Sequence, residues 1–354
     1  MNRRKHQTTV TFLGVILLLM ALATGCRKAA TPRSWQLTEL DSPTTASLRG
    51  LSVVSDSVAW ASGSGGTVLR TVDGGATWTL IPMPHAEALD FRDVQAFNDQ
   101  TALLMTAGAP ARFYRTANGG ATWQITYETT ASGAFFDGMA FWDTRRGVAM
   151  SDPVDGHFLL LRTEDGGRSW QEIPTDQIAT PLENEGGFAA SGTSIAVAPG
   201  GLAAFGTSKA RILRSEDWGH TWQAVNVPIR TGAPSQGVFS IAFWGDRGRG
   251  VLTGGDYAAD SLRTATAAYT TDGGKSWLPA AVMPHGFCSA VTGHPRISAE
   301  WLAVGTTGCS HSCDGGITWT PVSTMGFHTV QNAPGSNIAY STGSNGRLAR
   351  WIFK

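Results

Sequence analysis

One sequence pattern recurs six times along this chain of 354 residues and limits the folds that the chain can adopt. The copies are Leu69–Trp78, Tyr114–Trp123, Leu161–Trp170, Leu213–Trp222, Ala268–Trp277 and Ser310–Trp319. Their closing tryptophans lie 42 to 55 positions apart, which is the length of one four-stranded blade of a β-propeller. The repeat therefore predicts an all-β ring of four-stranded antiparallel sheets.

Each copy carries the chemistry of a tight turn. An Asp or Asn side chain can accept N–H bonds from the turn, and the glycines supply positive φ. These residues are Asp73, Asn118, Asp165, Asp217, Asp272 and Asp314. The tryptophan begins the next strand and can pack between neighbouring blades. We expect the six side chains to be structural, and a distorted turn where Trp218 replaces glycine.

The strand pattern around the copies predicts seven blades. We place them near residues 48–81, 91–128, 135–173, 187–227, 237–280, 286–322 and 326–351. The seventh has no copy of the repeat and lacks a fourth strand, which would leave an unpaired edge open to aggregation. Residues 34–40 resemble the outer strands that follow Thr122 and Ser169. We therefore expect this N-terminal strand to complete the last blade and close the ring.

The first 33 residues predict export and membrane attachment. Arg3, Arg4 and Lys5 precede an apolar run, and the run ends at Cys26 after small residues. This arrangement resembles a bacterial lipobox, although an ordinary signal peptide with an incidental cysteine is an alternative. We expect a lipoprotein signal peptide over 1–25, lipidation of Cys26, a tether over 26–33 and the propeller over 34–354. The predicted location is the cell envelope, facing the periplasm or the cell surface.

Loops that join second to third strands, and each blade to the next, gather at one end of a propeller and are the candidate binding region. The polar residues in these loops are Asp152, His157, Glu183, Glu185, Arg211, Arg230, Asp256, Tyr257 and His328. Such a set suits an exposed protein segment or a sugar. Asp152, Glu185 and Asp256 also permit a glycoside hydrolase, which needs two carboxylates across a cleft.

Charge and cysteine content restrict the classes of partner and the covalent links that we expect. Lys and Arg together number 27, as do Asp and Glu, so the global charge gives no reason to expect nucleic acid. Cys288 and Cys309 are the preferred pair if a disulfide forms in an exported protein, because both should lie near the same end of blade six. No metal site, cofactor or nucleotide fingerprint is predicted, and we expect a monomer.

The repeat resembles the Asp-box, also called the BNR repeat. Sialidases carry this repeat, but the Arg-Ile-Pro motif of that family is absent here. Seven blades with boxes in nearly all of them, together with the segments 146–153, 254–257 and 326–328, resemble the photosystem II stability/assembly factor group and its non-photosynthetic bacterial relatives. That resemblance implies a non-enzymatic scaffold that binds a membrane or envelope protein. A sialidase-like hydrolase acting on a glycan is the alternative, and a redox-linked envelope protein a more distant one.

Overall fold

The computed structural model describes residues 34–245 and 248–354, and the predicted signal peptide, Cys26 and the tether lie outside them. The described residues form 28 strands in seven four-stranded antiparallel sheets. None of their helices is long and apolar enough to cross a membrane. The predicted seven-bladed propeller is therefore confirmed.

The first three blades follow one another along the chain, after an initial strand β1 (Trp35–Leu40). Blade one contains β2 (Leu48–Val53), β3 (Ala59–Gly63), β4 (Val68–Thr71) and β5 (Thr79–Leu80). Blade two contains β6 (Phe91–Ala96), β7 (Ala102–Thr106), β8 (Ala111–Thr116) and β9 (Gln124–Thr129). Blade three contains β10 (Phe136–Phe141), β11 (Gly147–Val154), β12 (His157–Thr163) and β13 (Gln171–Glu172).

The remaining blades repeat this plan. Blade four contains β14 (Ile195–Ala198), β15 (Leu202–Gly206), β16 (Arg211–Ser215) and β17 (Gln223–Asn226). Blade five contains β18 (Gln236–Phe243), β19 (Gly250–Asp256), β20 (Ala267–Thr270) and β21 (Leu278–Pro279). Blade six contains β22 (Ala290–Gly293), β23 (Trp301–Gly305), β24 (Gly308–Ser312) and β25 (Thr320–Ser323). Blade seven contains β26 (Thr329–Asn332), β27 (Ile338–Thr342) and β28 (Leu348–Phe353). Short 3-10 helices span Thr175–Gln177, Pro199–Gly201 and Tyr257–Ala259.

The first strand of the chain closes the ring, as predicted. β1 pairs antiparallel with β28, from Trp35 opposite Phe353 to Leu40 opposite Leu348. Ser34 and Lys354 exchange backbone hydrogen bonds of 3.1 Å, at the position of the Asp-box turn in the other blades. Trp35 is buried, and its ring lies 5.1 Å from that of Phe353. The last blade is thus built from both ends of the described chain.

The core lies between neighbouring blades. All five residues of β3, β7, β15 and β23 are buried, because both faces of these strands pack against apolar side chains. Trp60, Trp301 and Trp351 are among the largest fully buried side chains. This packing leaves the loops at the two ends of the ring as the accessible variable surface.

The Asp-box turns have the geometry that the sequence predicts. In blade one, Asp73 Oδ1 accepts the Thr77 N–H at 2.9 Å, and the Thr71 hydroxyl oxygen accepts the Gly75 N–H at 3.0 Å. Asn118 replaces Asp73 in blade two and accepts the equivalent N–H from Thr122 at 2.9 Å. All six turns join third to fourth strands, so they lie at the end of the ring opposite the loops between second and third strands.

The turn containing Trp218 is not distorted, contrary to expectation. Trp218 adopts a left-handed φ of 64°, and the Gly219 N–H still donates to the Ser215 hydroxyl oxygen at 3.0 Å. The Arg146 guanidinium lies 3.6 Å from the centre of the Trp218 ring. This stacking offers a reason why a bulky side chain is accommodated at a position that favours glycine.

Arginines on third strands connect successive blades. Arg70 donates to the Gly119 carbonyl oxygen at 3.1 Å, and Arg115 donates to that of Gly166 at 3.1 Å. Arg162 and Arg214 bond in the same way to the carbonyls of Trp218 and Gly273. In each case the acceptor lies in the Asp-box turn of the next blade, so these four arginines belong to the framework of the ring.

Candidate functional site

A cavity of about 420 Å³ occupies one end of the central channel, which we call the mouth. The mouth is the end at which the first strands begin, and all seven blades or the segments leading into them contribute to the cavity. Its lining is Arg49, Arg92, Phe135, Gly187, Phe188, Ala189, Ala190, Phe239, Tyr257, Phe287, Ser289, Thr306 and His328. A concave, largely apolar site with a few polar groups is the usual form of a ligand site.

β-Bulges place three of these side chains in the mouth. The register of the first strand shifts by one residue in blades one, two and five, and the additional residues are Arg49, Arg92 and Phe239. A bulge redirects a side chain that regular pairing would send elsewhere. The additional residue in blade three is Asp137, which is fully buried.

The segment 187–194, which leads into blade four, crosses the channel beneath the mouth. The guanidinium groups of Arg49 and Arg92 donate to the carbonyl oxygens of Ala190 and Ala189 at 3.2 and 3.0 Å. Ser191 donates to the Ser289 carbonyl oxygen in blade six at 2.7 Å. A second cavity of about 240 Å³ lies on the other side of this segment. The mouth is therefore a closed-ended cavity and not an open channel.

Close packing fixes this crossing. Gly192 has a φ of 70°, and a Cβ atom there would lie 2.3 Å from Asp93 Oδ1. Asp93 is buried and accepts N–H bonds from Val94 and Met139, both at 2.8 Å. Burial outweighs these bonds and raises the pKa of Asp93 to about 8.

Aromatic rings form one wall of the mouth. Phe188 and Phe239 are stacked with 3.7 Å between their ring centres, and Phe287 meets Phe239 edge-to-face at 4.7 Å. Tyr257 stands at the edge of this group and is 54% exposed. Such an arrangement offers both ring faces and ring edges to an apolar or aromatic guest.

Basic side chains form the opposite wall. Arg92 pairs with Asp90 at 2.6 Å, whereas Arg49 makes no ion pair within the described part of the chain. His328 is buried and lies 3.2 Å from the Ser47 hydroxyl. Its burial, followed by the charges of Arg49, Arg92 and Arg347, lowers the pKa of His328 to about 4, so this imidazole is neutral at pH 7.

The predicted site residues divide into three groups. Tyr257 and His328 line the mouth. Asp152, Glu183 and Glu185 line a separate open groove of about 610 Å³ at blades three and four. His157 is exposed at the start of β12, and Arg230 lies in the connection to blade five, where its N–H donates to the Ala265 carbonyl oxygen at 2.9 Å. Of the predicted residues, Tyr257 and His328 therefore line the mouth itself.

Two of the three candidate catalytic carboxylates are held by internal contacts. Glu185 is buried and pairs with Arg211, whose Nε–Oε1 distance is 2.7 Å, and Glu185 also accepts the Thr207 hydroxyl at 2.6 Å. Asp256 accepts Gln236 Nε2 at 2.8 Å and the Ala258 N–H at 2.9 Å, which caps a 3-10 helix. These contacts show that both buried side chains stabilise the loops in which they lie.

Asp152 has a different environment. It accepts the Gly187 N–H at 2.7 Å, and burial raises its pKa. Near it lies Asp137, whose two carboxylate oxygens have no hydrogen-bond partner among the described residues. Burial and then the charge of Asp152 raise the pKa of Asp137 well above its usual value. Burial therefore favours the neutral, protonated form of Asp137 behind the groove.

The predicted disulfide is not formed in the structure, where Cys288, Cys309 and Cys313 are free thiols. Cys309 lies on the third strand of blade six, whereas Cys288 extends the first strand, and β23 separates the two. Among the described residues, no group of three or more His, Cys, Asp and Glu side chains is arranged to hold a metal ion.

The sequence interpretation missed most of the mouth, including Arg49, Arg92, Phe188, Phe239 and Phe287. It concentrated on polar loop residues, whereas these side chains lie on first strands or just before them. The available signal was the arginine at the second residue of the first strand in blades one and two. Phe239 is the fourth residue of β18 and shares no such position with them.

The fold is shared with solved propellers. No protein-family model and no curated protein matches the sequence. A structure described as YCF48 bound to D1 peptide matches with a TM-score of 0.61 and 17% identity, over 90% of this chain and 97% of that one. YCF48 from Cyanidioschyzon merolae matches with a TM-score of 0.62 and 17% identity, over 89% and 98%. In architecture, this chain is therefore similar to the YCF48 propellers across almost their whole length.

Proposed function

We propose that this chain is a non-enzymatic binding protein that holds an exposed segment of an envelope or membrane protein at the mouth. The observation that carries the proposal is the closed-ended cavity to which all seven blades contribute, with aromatic rings on one wall and an unpaired guanidinium on the other. Such a surface binds a ligand by shape and charge.

The fold neighbours support this class of function. One of them is described as bound to a D1 peptide, which makes peptide binding by a propeller of this architecture a precedent. We extend only the general activity, the holding of a polypeptide segment, to this chain. A role in assembly or stability of a membrane complex follows from such binding when the partner belongs to a complex.

Membrane attachment belongs to the same proposal. Lipidation of Cys26 would keep the propeller at the envelope membrane and raise its effective concentration near membrane partners. Incorporation of labelled palmitate into the wild-type protein, and its loss in Cys26→Ser, would support this part. Wild-type protein without a lipid on Cys26 would overturn it.

Site-specific photocrosslinking tests the binding proposal. A benzophenone amino acid replaces Tyr257 at the mouth or Val72 at the Asp-box end, two positions with exposed fractions of 54% and 53%. In cells of the source organism, we expect a discrete envelope-protein adduct from position 257 and none from position 72. Equal adducts from both positions, or none from position 257, would contradict a partner at the mouth.

A further inference from the structure

Charged and aromatic groups are distributed unevenly around the mouth, and this distribution restricts which protein segments can bind there. Arg49 lies on blade one, the aromatic wall comes from the segments and strands of blades four to six, and the acidic groove lies at blades three and four. A line from blade one across the ring centre to blades three and four therefore passes a cation, aromatic rings and then carboxylates. This order constrains both the composition and the direction of a bound chain.

The aromatic wall can receive the ring of a bound residue. Phe188, Phe239 and Phe287 already make mutual ring contacts, and Tyr257 is left half-exposed beside them. The cavity volume of about 420 Å³ is sufficient for an aromatic side chain together with its backbone. An aromatic guest would gain both apolar burial and favourable ring geometry, whereas a small or charged side chain would gain neither.

Arg49 supplies the site for a negative charge. Its guanidinium is only partly exposed and has one protein acceptor within the described residues, the Ala190 carbonyl oxygen at 3.2 Å. Asp90 is paired with the neighbouring Arg92. A carboxylate at the edge of the cavity can therefore bind Arg49 without displacing an existing ion pair, and such charge-assisted bonds are strong in a partly dehydrated site.

The groove beside the mouth supplies the site for a positive charge. Gly187 lines the mouth and Gly186 lines the groove, so the two concavities adjoin along the chain. Arg211 neutralises Glu185, which leaves Asp152 and Glu183 as groove carboxylates without an ion pair among the described residues. Burial favours the protonated form of Asp137, so the negative charge of the groove comes from Asp152 and Glu183.

We propose that the mouth and the groove together bind an internal, extended protein segment in which an aromatic residue lies between an acidic and a basic residue. The aromatic side chain enters the cavity beside Phe188 and Tyr257, the acidic side chain pairs with Arg49, and the basic side chain lies in the groove near Asp152 and Glu183. The inference rests on the proposed function and names the chemistry of the segment.

Binding of capped synthetic peptides to the full chain tests the segment chemistry. The reference probe is an acetylated, amidated Gly-Ser-Asp-Phe-Gly-Lys-Ser-Gly peptide, measured by calorimetry at low and physiological salt. Replacing its Phe by Ala, its Asp by Asn or its Lys by Gln should each weaken binding by about tenfold or more. The reversed order, with Lys before Phe and Asp after it, should also bind more weakly because both charges then face like charges.

Variants of the protein assign each preference to its side chain. Arg49→Gln should abolish the discrimination between the Asp and Asn peptides, and Glu183→Gln should reduce that between the Lys and Gln peptides. Tyr257→Ala, at an exposed position, should weaken all aromatic peptides. The matched control is Lys275→Gln, which removes an exposed charge at the Asp-box end and should change none of these ratios.

Three outcomes would overturn the segment chemistry. They are equal binding of the Phe and Ala peptides, full Asp preference in Arg49→Gln, and binding of free phenylpropionate as tight as that of the reference peptide, which would indicate a small aromatic acid as the occupant. If crosslinking at position 257 still captures a protein, the binding function stands and the segment chemistry alone fails. If that crosslink is absent while the peptides bind as expected, the physiological partner is refuted and the chemistry of the mouth stands.

Discussion

Arg211 and Glu185 form a two-point ion pair that fixes the loop beside the groove. Arg211 also donates to the Thr180 carbonyl oxygen at 2.7 Å, and Glu185 Oε2 accepts the Leu182 N–H at 2.7 Å. The carboxylate is completely buried and the guanidinium is 10% exposed. The pair therefore connects the start of β16 to both ends of the loop over residues 180–185.

Glu185→Gln should destabilise the protein by about 3 kcal/mol, because it leaves the Arg211 charge buried without a carboxylate. Urea denaturation at pH 7 measures this change in the free energy of unfolding. The control is Glu216→Gln, whose carboxylate is 49% exposed and pairs with Arg214, and it should cost less than about 1 kcal/mol. Equal losses from the two variants would contradict the structural role of Glu185.

Trp35→Ala should destabilise the ring by about 3 kcal/mol and promote aggregation. The substitution removes a buried ring from the contact between β1 and β28, and detachment of β1 would expose the edge of β28. Denaturation and light scattering measure the two effects. Gln36→Ala, at an exposed position of the same strand, is the control and should behave like wild type. Normal stability of Trp35→Ala would show that ring closure does not depend on this contact.

Asp137→Asn should remove a contribution that lowers the stability of the protein as the pH rises. In the folded protein, burial and then the charge of Asp152 raise the pKa of Asp137 above its usual value of 3.8. As the pH rises above about 4, the unfolded carboxyl ionises while the folded one keeps its proton, so the contribution of Asp137 to wild-type stability should fall with rising pH. Asp93, with a pKa of about 8, contributes in the same direction up to that pH. The buried His328 contributes in the opposite direction below about pH 6.5, because its folded pKa is about 4.

Urea denaturation between pH 4.5 and 8 measures the slope of stability against pH. The difference in stability between Asp137→Asn and wild type should grow in favour of the variant as the pH rises, and the exposed control Asp176→Asn should keep the wild-type slope. An unchanged slope in Asp137→Asn would contradict a protonated Asp137.

Asp272→Ala should destabilise blade five more than Asp272→Asn does. Burial opposes ionisation of Asp272, but hydrogen bonds from Ser276 and Thr270 outweigh it and lower the pKa to about 2. The ionised form therefore stabilises the fold above pH 4, and this contribution is lost as the pH falls towards 2. Asn should retain most of the turn, because Asn118 occupies the same position in blade two. Melting temperatures of the two variants measure this difference. Equal melting temperatures would contradict the role of the Asp272 side chain in the turn.

The three cysteines of blade six should differ in their rates of alkylation. Cys313 is exposed and should react in the native protein, whereas Cys288 and Cys309 are buried and should react only after unfolding. Burial raises the pKa of both buried thiols, which further lowers their reactivity. Mass spectrometry of peptides labelled before and after denaturation measures this. A disulfide-linked peptide containing Cys288 and Cys309 would contradict the free thiols.

The repeat made the fold predictable from the sequence. A turn such as that at Asp73 is encoded by contiguous residues, and its spacing reports the size of a blade. Closure of the ring by the strand that contains Trp35 was also predictable. Residues 34–40 have the pattern of an outer strand but belong to no blade of their own, and blade seven lacks an outer strand. These features depend on local chemistry that each segment carries with it.

The mouth was less predictable, because it depends on contacts between residues far apart in sequence. Arg49 reaches Ala190 only because a bulge redirects its side chain and a connection crosses the channel. Polarity alone favoured Glu185 and Asp256, which the structure uses to hold loops. Nothing in the local sequence distinguishes a carboxylate that meets solvent from one that meets a distant arginine.

The entry of the chain at Ser34 has a consequence for orientation. Ser34 meets Lys354 at the Asp-box end, so the polypeptide joins the ring on the side opposite the cavity. An attachment made through Ser34 or Lys354 therefore starts on the face opposite the cavity and leaves the mouth open to a partner.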